Sequence, residues 1–405
     1  MKAFFLTPLI APSGALLVAL FSIISPLFAS DSAIDYERIT IADRLIRPWD
    51  MDFIDENTAL VTEKEGGLQL VNLQTGEKNE VIGLPKDLNN RNRTGIGDNS
   101  GLFAVKLDPD FQKNQWVYIS YAASNPEGSG ATTKVIRAKL AGAELKQIED
   151  LFTALPFTED RYHYGGGIVF GADRKLYFTV GERLFSEANQ PEMPIAQNYS
   201  DRRGKIYRIN RDGSIPDDNP FISEKAVPGL FALGIRAAQG LTMNPENSQI
   251  WFSEHGTHQG DEINRLVGGA NYGWPVHTTG KYRHAEYAPP LLKDRNFTSP
   301  EHFWEQTVAP TGLMFYSGSQ FPKWRGNLFV AGLSRGSLWR IQMEKNKISS
   351  MEKLFADKPI RLRNVKQSPS GAIYLLTDEA NGRLMRIQPK DPQNSKPQHS
   401  KPLEK

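Results

Sequence analysis

Six short apolar segments of one kind recur along this chain, and they constrain its fold more than any other feature. Each is rich in β-branched or aromatic residues and follows a turn, which is typical of strands. They are residues 59–62, 117–121, 176–180, 250–253, 328–331 and 373–377. In most repeats a second, alternating segment follows, at residues 67–71, 134–137, 204–209, 337–341 and 383–387. A pair of strands repeated in this way predicts an all-β, six-bladed β-propeller.

Two other architectures fit the pattern less well. A two-sheet sandwich would need a smaller and more regular set of strands. No helix-period segment of convincing length follows residue 30, and the glycines at 165–167 do not open a helical pattern, so a Rossmann domain is not expected. The uneven spacing of the repeats predicts long loops on at least one face of the ring, where a functional site can be built.

The two ends of the chain are expected to lie outside the propeller. Residues 1–30 have a basic start, an apolar run and small residues at the end, which is typical of a secretory signal peptide. A membrane anchor is the alternative, but Pro and Gly interrupt the run and its length is at the lower limit for spanning a bilayer. Residues 31–389 are assigned to the propeller and residues 390–405 to a disordered tail. The mature protein is then expected to be periplasmic or secreted, without stable membrane insertion.

The composition argues against several partners and chemistries. Lys and Arg number 48 against 46 Asp and Glu, with no basic patch outside the tail, so nucleic acid is not an expected partner. The chain has no cysteine, which excludes disulfides, thiolate metal sites and cysteine nucleophiles. The sequence has no coiled-coil pattern, so it does not indicate a particular oligomeric state.

A series of motifs occurs in order at residues 101–111, 163–170, 204–221, 236–241, 254–264, 269–275, 307–310, 333–336 and 361–365. From about residue 47 to residue 388, this series resembles the soluble quinoprotein glucose and aldose sugar dehydrogenases, the glucose/sorbosone dehydrogenase family. The resemblance implies a six-bladed propeller, in agreement with the strand count. It also implies two cofactors, pyrroloquinoline quinone (PQQ) and Ca²⁺, and the oxidation of a small-molecule aldose at its anomeric carbon to a lactone. The sugar and the electron acceptor are not indicated by the sequence.

The resemblance assigns roles to particular side chains. His163 takes the position of the general base, and a histidine suits the removal of a hydroxyl proton near neutral pH. Arg236, Arg361 and Arg363 take cofactor-binding positions. Arg236 is also assigned to catalysis. Guanidinium groups bind carboxylates and stabilise negative charge on quinone oxygens. The remaining cofactor positions are Thr307 and Asn99.

Calcium is expected on main-chain oxygens, which this hard cation accepts as ligands. The resemblance places it on the carbonyls of Gly256 and Thr257. Glu262 and the carbonyl of Tyr272 fall where some members of the family hold a second, structural calcium.

The same segment also carries the expected substrate contacts, at Asp261 and His255. An alternative interpretation is a transition-metal cluster formed by His255, His258 and Asp261, because imidazole and carboxylate groups are common ligands of such metals. The match of the whole segment to the family's loop favours the substrate role.

Several positions depart from the family's pattern. Ala237 replaces an asparagine, Ser334 replaces a lysine that pairs with a cofactor carboxylate, and Gly167 replaces an arginine. Arg335 lies beside Ser334, but neighbouring residues on a strand point to opposite faces. Asn99 replaces the glutamine of the glucose-oxidising members and has a shorter side chain.

These losses support a second hypothesis beside the dehydrogenase. In that hypothesis the chain is a non-catalytic propeller that binds a carbohydrate or an exported protein partner. A third hypothesis, a propeller hydrolase with a calcium-held water and His163 as base, lacks a recognisable nucleophile.

Overall fold

The computed structural model describes residues 36–89, 98–221 and 225–390, which all belong to one compact unit, Tyr36–Lys405. The expected signal peptide and residues 391–405 of the expected tail lie outside the described residues. Within those ranges there is one short helix, α1 (Phe111–Asn114), and there are three 3₁₀ turns, at Glu187–Asn189, Ile195–Gln197 and Pro322–Trp324. No helix in them is long and apolar enough to cross a membrane.

Strands make up most of the described chain. They are β1 (Tyr36–Leu45), β2 (Pro48–Phe53), β3 (Thr58–Glu63), β4 (Gly67–Asn72), β5 (Lys78–Glu80), β6 (Leu102–Leu107), β7 (Trp116–Ser124), β8 (Ala131–Ala141), β9 (Glu144–Thr153), β10 (Gly165–Phe170), β11 (Leu176–Val180), β12 (Lys205–Ile209), β13 (Leu230–Leu233), β14 (Ala238–Met243), β15 (Ile250–Glu254), β16 (Asp261–Arg265), β17 (His302–Trp304), β18 (Pro310–Phe315), β19 (Leu328–Gly332), β20 (Ser337–Glu344), β21 (Lys347–Leu354), β22 (Leu362–Gln367), β23 (Ile373–Thr377) and β24 (Gly382–Pro389).

These strands form six four-stranded antiparallel sheets, so the prediction of a six-bladed β-propeller is confirmed. Five sheets are built from four consecutive strands, beginning at β2, β6, β10, β14 and β18. The first strand of each sheet packs against the first strand of the next, and β22 packs against β2, which closes a ring. The six segments predicted as strands are the second strands of the six sheets, and the alternating segments are third strands.

The last blade joins the beginning of the propeller to its end. Its order is β22, β23, β24 and β1, so the first described strand forms the outer edge of the sixth sheet. β1 pairs antiparallel with β24 from Tyr36 opposite Pro389 to Leu45 opposite Gly382. This pairing holds the two ends of the propeller together by main-chain hydrogen bonds within the sixth blade.

Apolar contacts between neighbouring blades form the core. β11 is buried along its whole length, which explains its continuous apolar sequence. Tyr118 of the second blade meets Phe170 of the third edge to face, with ring centroids 5.0 Å apart. Trp251 and Phe315 make the same contact at 5.8 Å between the fourth and fifth blades. Each fully buried side chain of this size contributes about 1.5–3 kcal/mol, so these contacts stabilise the ring.

The innermost strands carry polar residues where they meet near the axis. Lys366 of β22 forms an ion pair with Asp50 of β2 at 2.9 Å, and Asn364 donates from Nδ2 to the same carboxylate at 2.7 Å. Lys106 of β6 pairs with Asp52 at 2.9 Å. Because these strands are not uniformly apolar, the hydrophobic pattern did not reveal most of them.

Candidate active site

The expected site residues gather at one end of the propeller. In each antiparallel blade, the start of the first strand and the end of the second strand lie at the same end. His163, Arg236 and Arg361 lie just before the first strands β10, β14 and β22, and the segment 255–257 follows the second strand β15. The topology therefore brings together residues that are up to about two hundred positions apart in the sequence.

His163 lies in a loop before β10, as predicted, and its main chain has a φ of 54°. The fully buried Arg183 holds this loop by donating hydrogen bonds to the carbonyls of Asp160 and Tyr162. The Arg183 guanidinium carbon also lies 3.3 Å from the centroid of the Tyr164 ring. These contacts hold the chain on both sides of His163. The sequence analysis did not identify Arg183.

The His163 side chain is buried and lies beside a carboxylate. Its Nδ1 is 3.6 Å from Oε1 of Glu182, and it has no hydrogen-bond partner in the described part of the chain. Burial, followed by the positive charges of Arg236 and the neighbouring His255, lowers the pKa of His163 well below its ordinary value. The imidazole is therefore neutral near pH 7 and can accept a proton.

Glu182 is the residue beside His163 that the sequence analysis missed most clearly. It follows β11 at the site end of the third blade, and Gln190 donates a hydrogen bond to its Oε2 at 2.6 Å. Burial raises its pKa to about 7, while the charge of Arg236 opposes that shift. The sequence does carry one signal for Glu182, since it is an acidic residue shortly after a second strand. The end of a second strand lies at the same end of the propeller as His163.

Arg236 is buried with unused donors. Its Nη1 donates to the carbonyl of Gly256 at 2.6 Å and to that of His255 at 3.3 Å. Its Nε and Nη2 have no partner among the described residues. The guanidinium carbon lies 5.1 Å from the ring centroid of Trp274. Because unpaired buried donors are costly, this arrangement suits an anionic ligand, which is the fit expected of a tricarboxylate quinone.

The two expected calcium ligands each accept a hydrogen bond from a cation. Arg236 donates to the Gly256 carbonyl, and Arg283 donates from Nη2 to the Thr257 carbonyl at 3.2 Å. Both carbonyls therefore bind positive groups, as calcium ligands must, although a metal ion would have to displace these guanidinium groups. Among the described residues no group of three or more His, Cys, Asp or Glu side chains is placed to hold a metal ion, so the transition-metal alternative finds no support.

The expected second calcium position contains two buried carboxyl groups. Glu262 of β16 lies opposite Glu254 of β15, and both line one small cavity together with Tyr272. Burial and the charge of Glu262 raise the pKa of Glu254 to about 8, and burial also raises the pKa of Glu262. A bound cation would relieve this repulsion. Sequence reasoning named Glu262 and Tyr272 but missed Glu254, which also accepts hydrogen bonds from the main-chain N–H groups of Arg236 and Ala237.

Arg361 and Arg363 converge on one carboxylate, as expected for residues on the same side of an extended segment. Arg361 Nε lies 2.5 Å from Oδ2 of Asp378, and Arg363 Nη2 lies 2.8 Å from its Oδ1. Although burial opposes the shift, the charges of Arg363 and Arg361 hold the pKa of Asp378 well below its usual range. Arg363 Nη1 also donates to Gln239 Oε1 at 2.7 Å. Arg363, Gln239 and the predicted cofactor residue Asn99 line one cavity.

Asp261 and Thr307 make contacts within and between loops. The Asp261 carboxylate accepts hydrogen bonds from the N–H groups of Gly256, Val308 and Ala309 at 2.9, 2.7 and 2.7 Å. Thr307 donates from Oγ1 to the His258 carbonyl at 3.0 Å. These bonds join the loop after β15 to the loop before β18. The substrate role of Asp261 and the cofactor role of Thr307 stay predictions.

The charges of Arg363 and Arg236 both act on His255. Burial lowers its pKa to about 4, with Arg363 and Arg236 adding to the shift and Asp261 opposing it. Its buried Nε2 has no hydrogen-bond partner in the described ranges. A neutral imidazole with a free nitrogen can exchange a hydrogen bond with a ligand, so its predicted substrate contact stays chemically reasonable.

The structure explains one departure from the family's pattern, Gly167. A Cβ atom at Gly167 would lie 2.6 Å from the main-chain oxygen of Gln239, so the two innermost strands approach too closely there for any side chain. Arg335, next to Ser334, donates to Gln306 Oε1 at 2.8 Å at the exposed surface. Ser334 and Arg335 lie in the turn between β19 and β20, so the expected alternation of strand residues does not apply to them. Because Arg335 is engaged by Gln306, it does not take the place of the missing lysine.

The fold and this site define the class of protein: a six-bladed propeller oxidoreductase of the sugar dehydrogenase type. Residues 45–386 match the sequence model of the glucose/sorbosone dehydrogenase family. The aldose sugar dehydrogenase YliI of Escherichia coli (strain K12) is 31% identical over 397 residues, covering 96% of this chain and 99% of that protein. Quinoprotein glucose dehydrogenase B of Acinetobacter calcoaceticus is 28% identical, covering 87% of each chain. A solved glucose dehydrogenase structure superposes with a TM-score of 0.79 at 32% identity, covering 86% of this chain and 99% of that one.

The chain therefore belongs to the glucose/sorbosone dehydrogenase family. The resemblance found in the sequence motifs is confirmed, and so is the prediction of an oxidoreductase.

Proposed function

We propose that the mature chain oxidises an aldose at its anomeric carbon to the lactone, using PQQ and Ca²⁺, with His163 as the general base. The observation that carries this proposal is the buried, neutral His163 beside Glu182, at the same end of the propeller as Arg236 with its free donors. The related proteins named as aldose sugar dehydrogenase and quinoprotein glucose dehydrogenase support the choice of substrate and cofactor.

The cofactor would be held by cationic and polar side chains. Arg236 offers two unpaired donors, and Arg361 and Arg363 carry more positive charge than their shared Asp378 balances. Asn99 and Thr307 complete the proposed set. When bound, the quinone supplies the acceptor for the hydride that leaves the sugar carbon.

The proton of the sugar hydroxyl would pass to His163. Since its pKa is held below the ordinary value, the imidazole is unprotonated at neutral pH and ready to act as a base. The positive charge that then develops on the ring is stabilised by Glu182, 3.6 Å away at Nδ1. Asp261 and His255 are the proposed substrate contacts.

Calcium would bind at the carbonyls of Gly256 and Thr257, which already attract cationic groups. A second, structural calcium would bind near Glu262 and the carbonyl of Tyr272, with Glu254 as an additional ligand. Two buried carboxyl groups with raised pKa values favour a cation at that position.

The proposed setting is outside the cytoplasm. Residues 1–30 act as a signal peptide in this proposal, residues 31–389 form the exported propeller, and residues 390–405 are a tail. The partners are a small sugar and an electron acceptor of unknown identity. Amino-terminal sequencing of the exported protein should find Asp31 as its first residue.

The first test is a titration of purified, calcium-loaded mature protein with PQQ, followed by absorbance, with a panel of aldoses added afterwards. Saturable binding and sugar-dependent bleaching of the quinone support the dehydrogenase. His163→Ala should abolish turnover and leave cofactor binding intact, and retained turnover would remove the assigned base.

A second candidate function is a non-catalytic propeller that binds a carbohydrate or an exported protein. It is favoured by the loss of family contacts at Gly167, Ala237 and Ser334. The absence of binding at micromolar PQQ in the same titration would support it.

A further inference from the structure

Lys64 is a cation that neither the motif comparison nor the proposed catalysis uses. It lies just after β3, at the same end of the propeller as the active site. Its main-chain N–H donates to the Arg47 carbonyl at 2.9 Å, and its carbonyl accepts from the N–H of Leu102 at 3.0 Å. Both sides of the peptide backbone are thus fixed to the neighbouring segments. These bonds fix the point at which the side chain leaves the main chain.

The ammonium group of Lys64 lies in the cofactor region without a carboxylate partner among the described residues. Its Nζ donates to the main-chain oxygen of Asp98 at 2.9 Å. It lines a cavity that also contains Asn99 and Arg363, both of which the sequence motifs assign to the cofactor. The other residues of this cavity are Trp49, Phe103, Tyr164, Gly165 and Gln239.

The electrostatics of this cavity favour an anion. Burial, and next the charge of Arg363, lowers the pKa of Lys64 to about 8. Arg47 adds to this shift, while Asp378 and Asp98 oppose it. The carboxylate of Asp378 is already bound by two arginines. A further negative group in the cavity would therefore stabilise the charged ammonium.

The position of Lys64 bears on a contact that the chain has lost. The lysine that pairs with a cofactor carboxylate in the family is Ser334 here, and the adjacent Arg335 is engaged by Gln306 at the surface. We propose that Lys64 binds a carboxylate of the quinone cofactor and replaces that lost lysine. This inference rests on the proposed function. The site thereby keeps a lysine for the cofactor, supplied by a different blade.

The test is the dissociation constant of PQQ, measured by absorbance or fluorescence titration of the full mature chain at pH 7 without substrate. Lys64→Met should weaken binding about 10- to 100-fold, the loss typical of one charge-assisted hydrogen bond. Lys64→Arg should stay within about threefold of the wild type, since it keeps the charge. Lys78→Met is the matched control, because Lys78 in the same blade also donates to main-chain carbonyls, at 2.8 and 3.0 Å, but at the exposed outer edge.

A second measurement separates charge from structure. A carboxylate bound to Lys64 stabilises the protonated ammonium, so the affinity is complete below about pH 8 and falls as the pH rises above it. The Lys64→Arg variant should lack this decline, since its guanidinium stays charged. Thermal melting of each variant checks that the propeller is intact.

The outcomes distinguish this inference from the proposed function. If the wild type binds PQQ and Lys64→Met binds it equally well, the role of Lys64 is refuted and the proposed function stands. A decline of affinity with pH that is the same in wild type and Lys64→Arg also refutes it. If the wild type binds no PQQ, the proposed function fails, and the role of Lys64 fails with it.

Discussion

Replacing Glu182 by glutamine tests whether the carboxylate beside His163 assists proton transfer. The substitution keeps the shape of the side chain and its hydrogen bond to Gln190, but removes the negative charge. In the wild type that charge lies 3.6 Å from His163 Nδ1, where the imidazole becomes positive as it accepts the sugar proton. Glu182→Gln should therefore slow the chemical step and leave sugar and cofactor affinity nearly unchanged.

The size of the effect follows from this distance. Two unit charges 3.6 Å apart interact by about 4.6 kcal/mol at an effective dielectric constant of about 20. If about half of the charge has developed on the ring in the transition state, the loss is about 2 kcal/mol, which is about 30-fold in kcat. Because burial raises the pKa of Glu182 to about 7, its carboxylate is charged mainly above that pH.

The assay is the pH dependence of kcat for wild type and Glu182→Gln at saturating sugar and cofactor. The ratio of the two rates should be about 30 above pH 7 and shrink below about pH 6, where the wild-type carboxyl is protonated as well. Glu187→Gln is the control, since Glu187 is also a buried carboxyl group in the following loop, whereas the ion pair of His163 is with Glu182. Because the charge of Glu187 helps to raise the pKa of Glu182, this control should move the pH profile toward lower pH without a 30-fold loss of rate. A ratio that is independent of pH, or that grows toward acid, would refute the assignment.

Two further substitutions test other parts of the site. Arg283→Gln removes the guanidinium that donates to the Thr257 carbonyl at 3.2 Å. Calcium affinity, measured by calorimetry, should therefore rise about tenfold. An unchanged or weaker affinity would contradict the proposed role of the Thr257 carbonyl as a calcium ligand. Gly167→Ala places a Cβ 2.6 Å from the Gln239 main-chain oxygen, so the free energy of unfolding in urea should fall by about 1–3 kcal/mol. An unaltered unfolding curve would show that the two strands can separate without cost.

The sequence predicted those strands whose surroundings are apolar on both faces. Segments such as 176–180 lie between neighbouring strands and blades, so they are continuously apolar and easy to recognise. The first strands are different, because side chains such as Asp50 and Lys366 pair with each other across blades near the axis. That pairing is fixed only when the ring closes. A single sequence window carries no sign of it.

The sequence predicted site residues at positions that a motif defines. His163, Arg236 and Arg363 belong to such motifs, and the topology brings them to one end of the propeller. Glu182 and Asp378 were missed because their roles depend on partners in other segments. Each follows a second strand and meets its histidine or arginine only through the fold. Their positions after β11 and β23 become informative once the ends of the blades are known.

One departure from the family's pattern, Gly167, has a steric cause. At Gly167 no side chain fits against Gln239, so the family's arginine cannot be accommodated with this spacing of the innermost strands. The site nevertheless keeps an excess of positive charge. Arg236 and Lys64 form no ion pair within the described ranges, and Arg361 and Arg363 share the single carboxylate of Asp378. Burying cations without matching carboxylates is unfavourable unless an anion binds. The arrangement therefore favours a chain that still binds an anionic cofactor over one that has lost it.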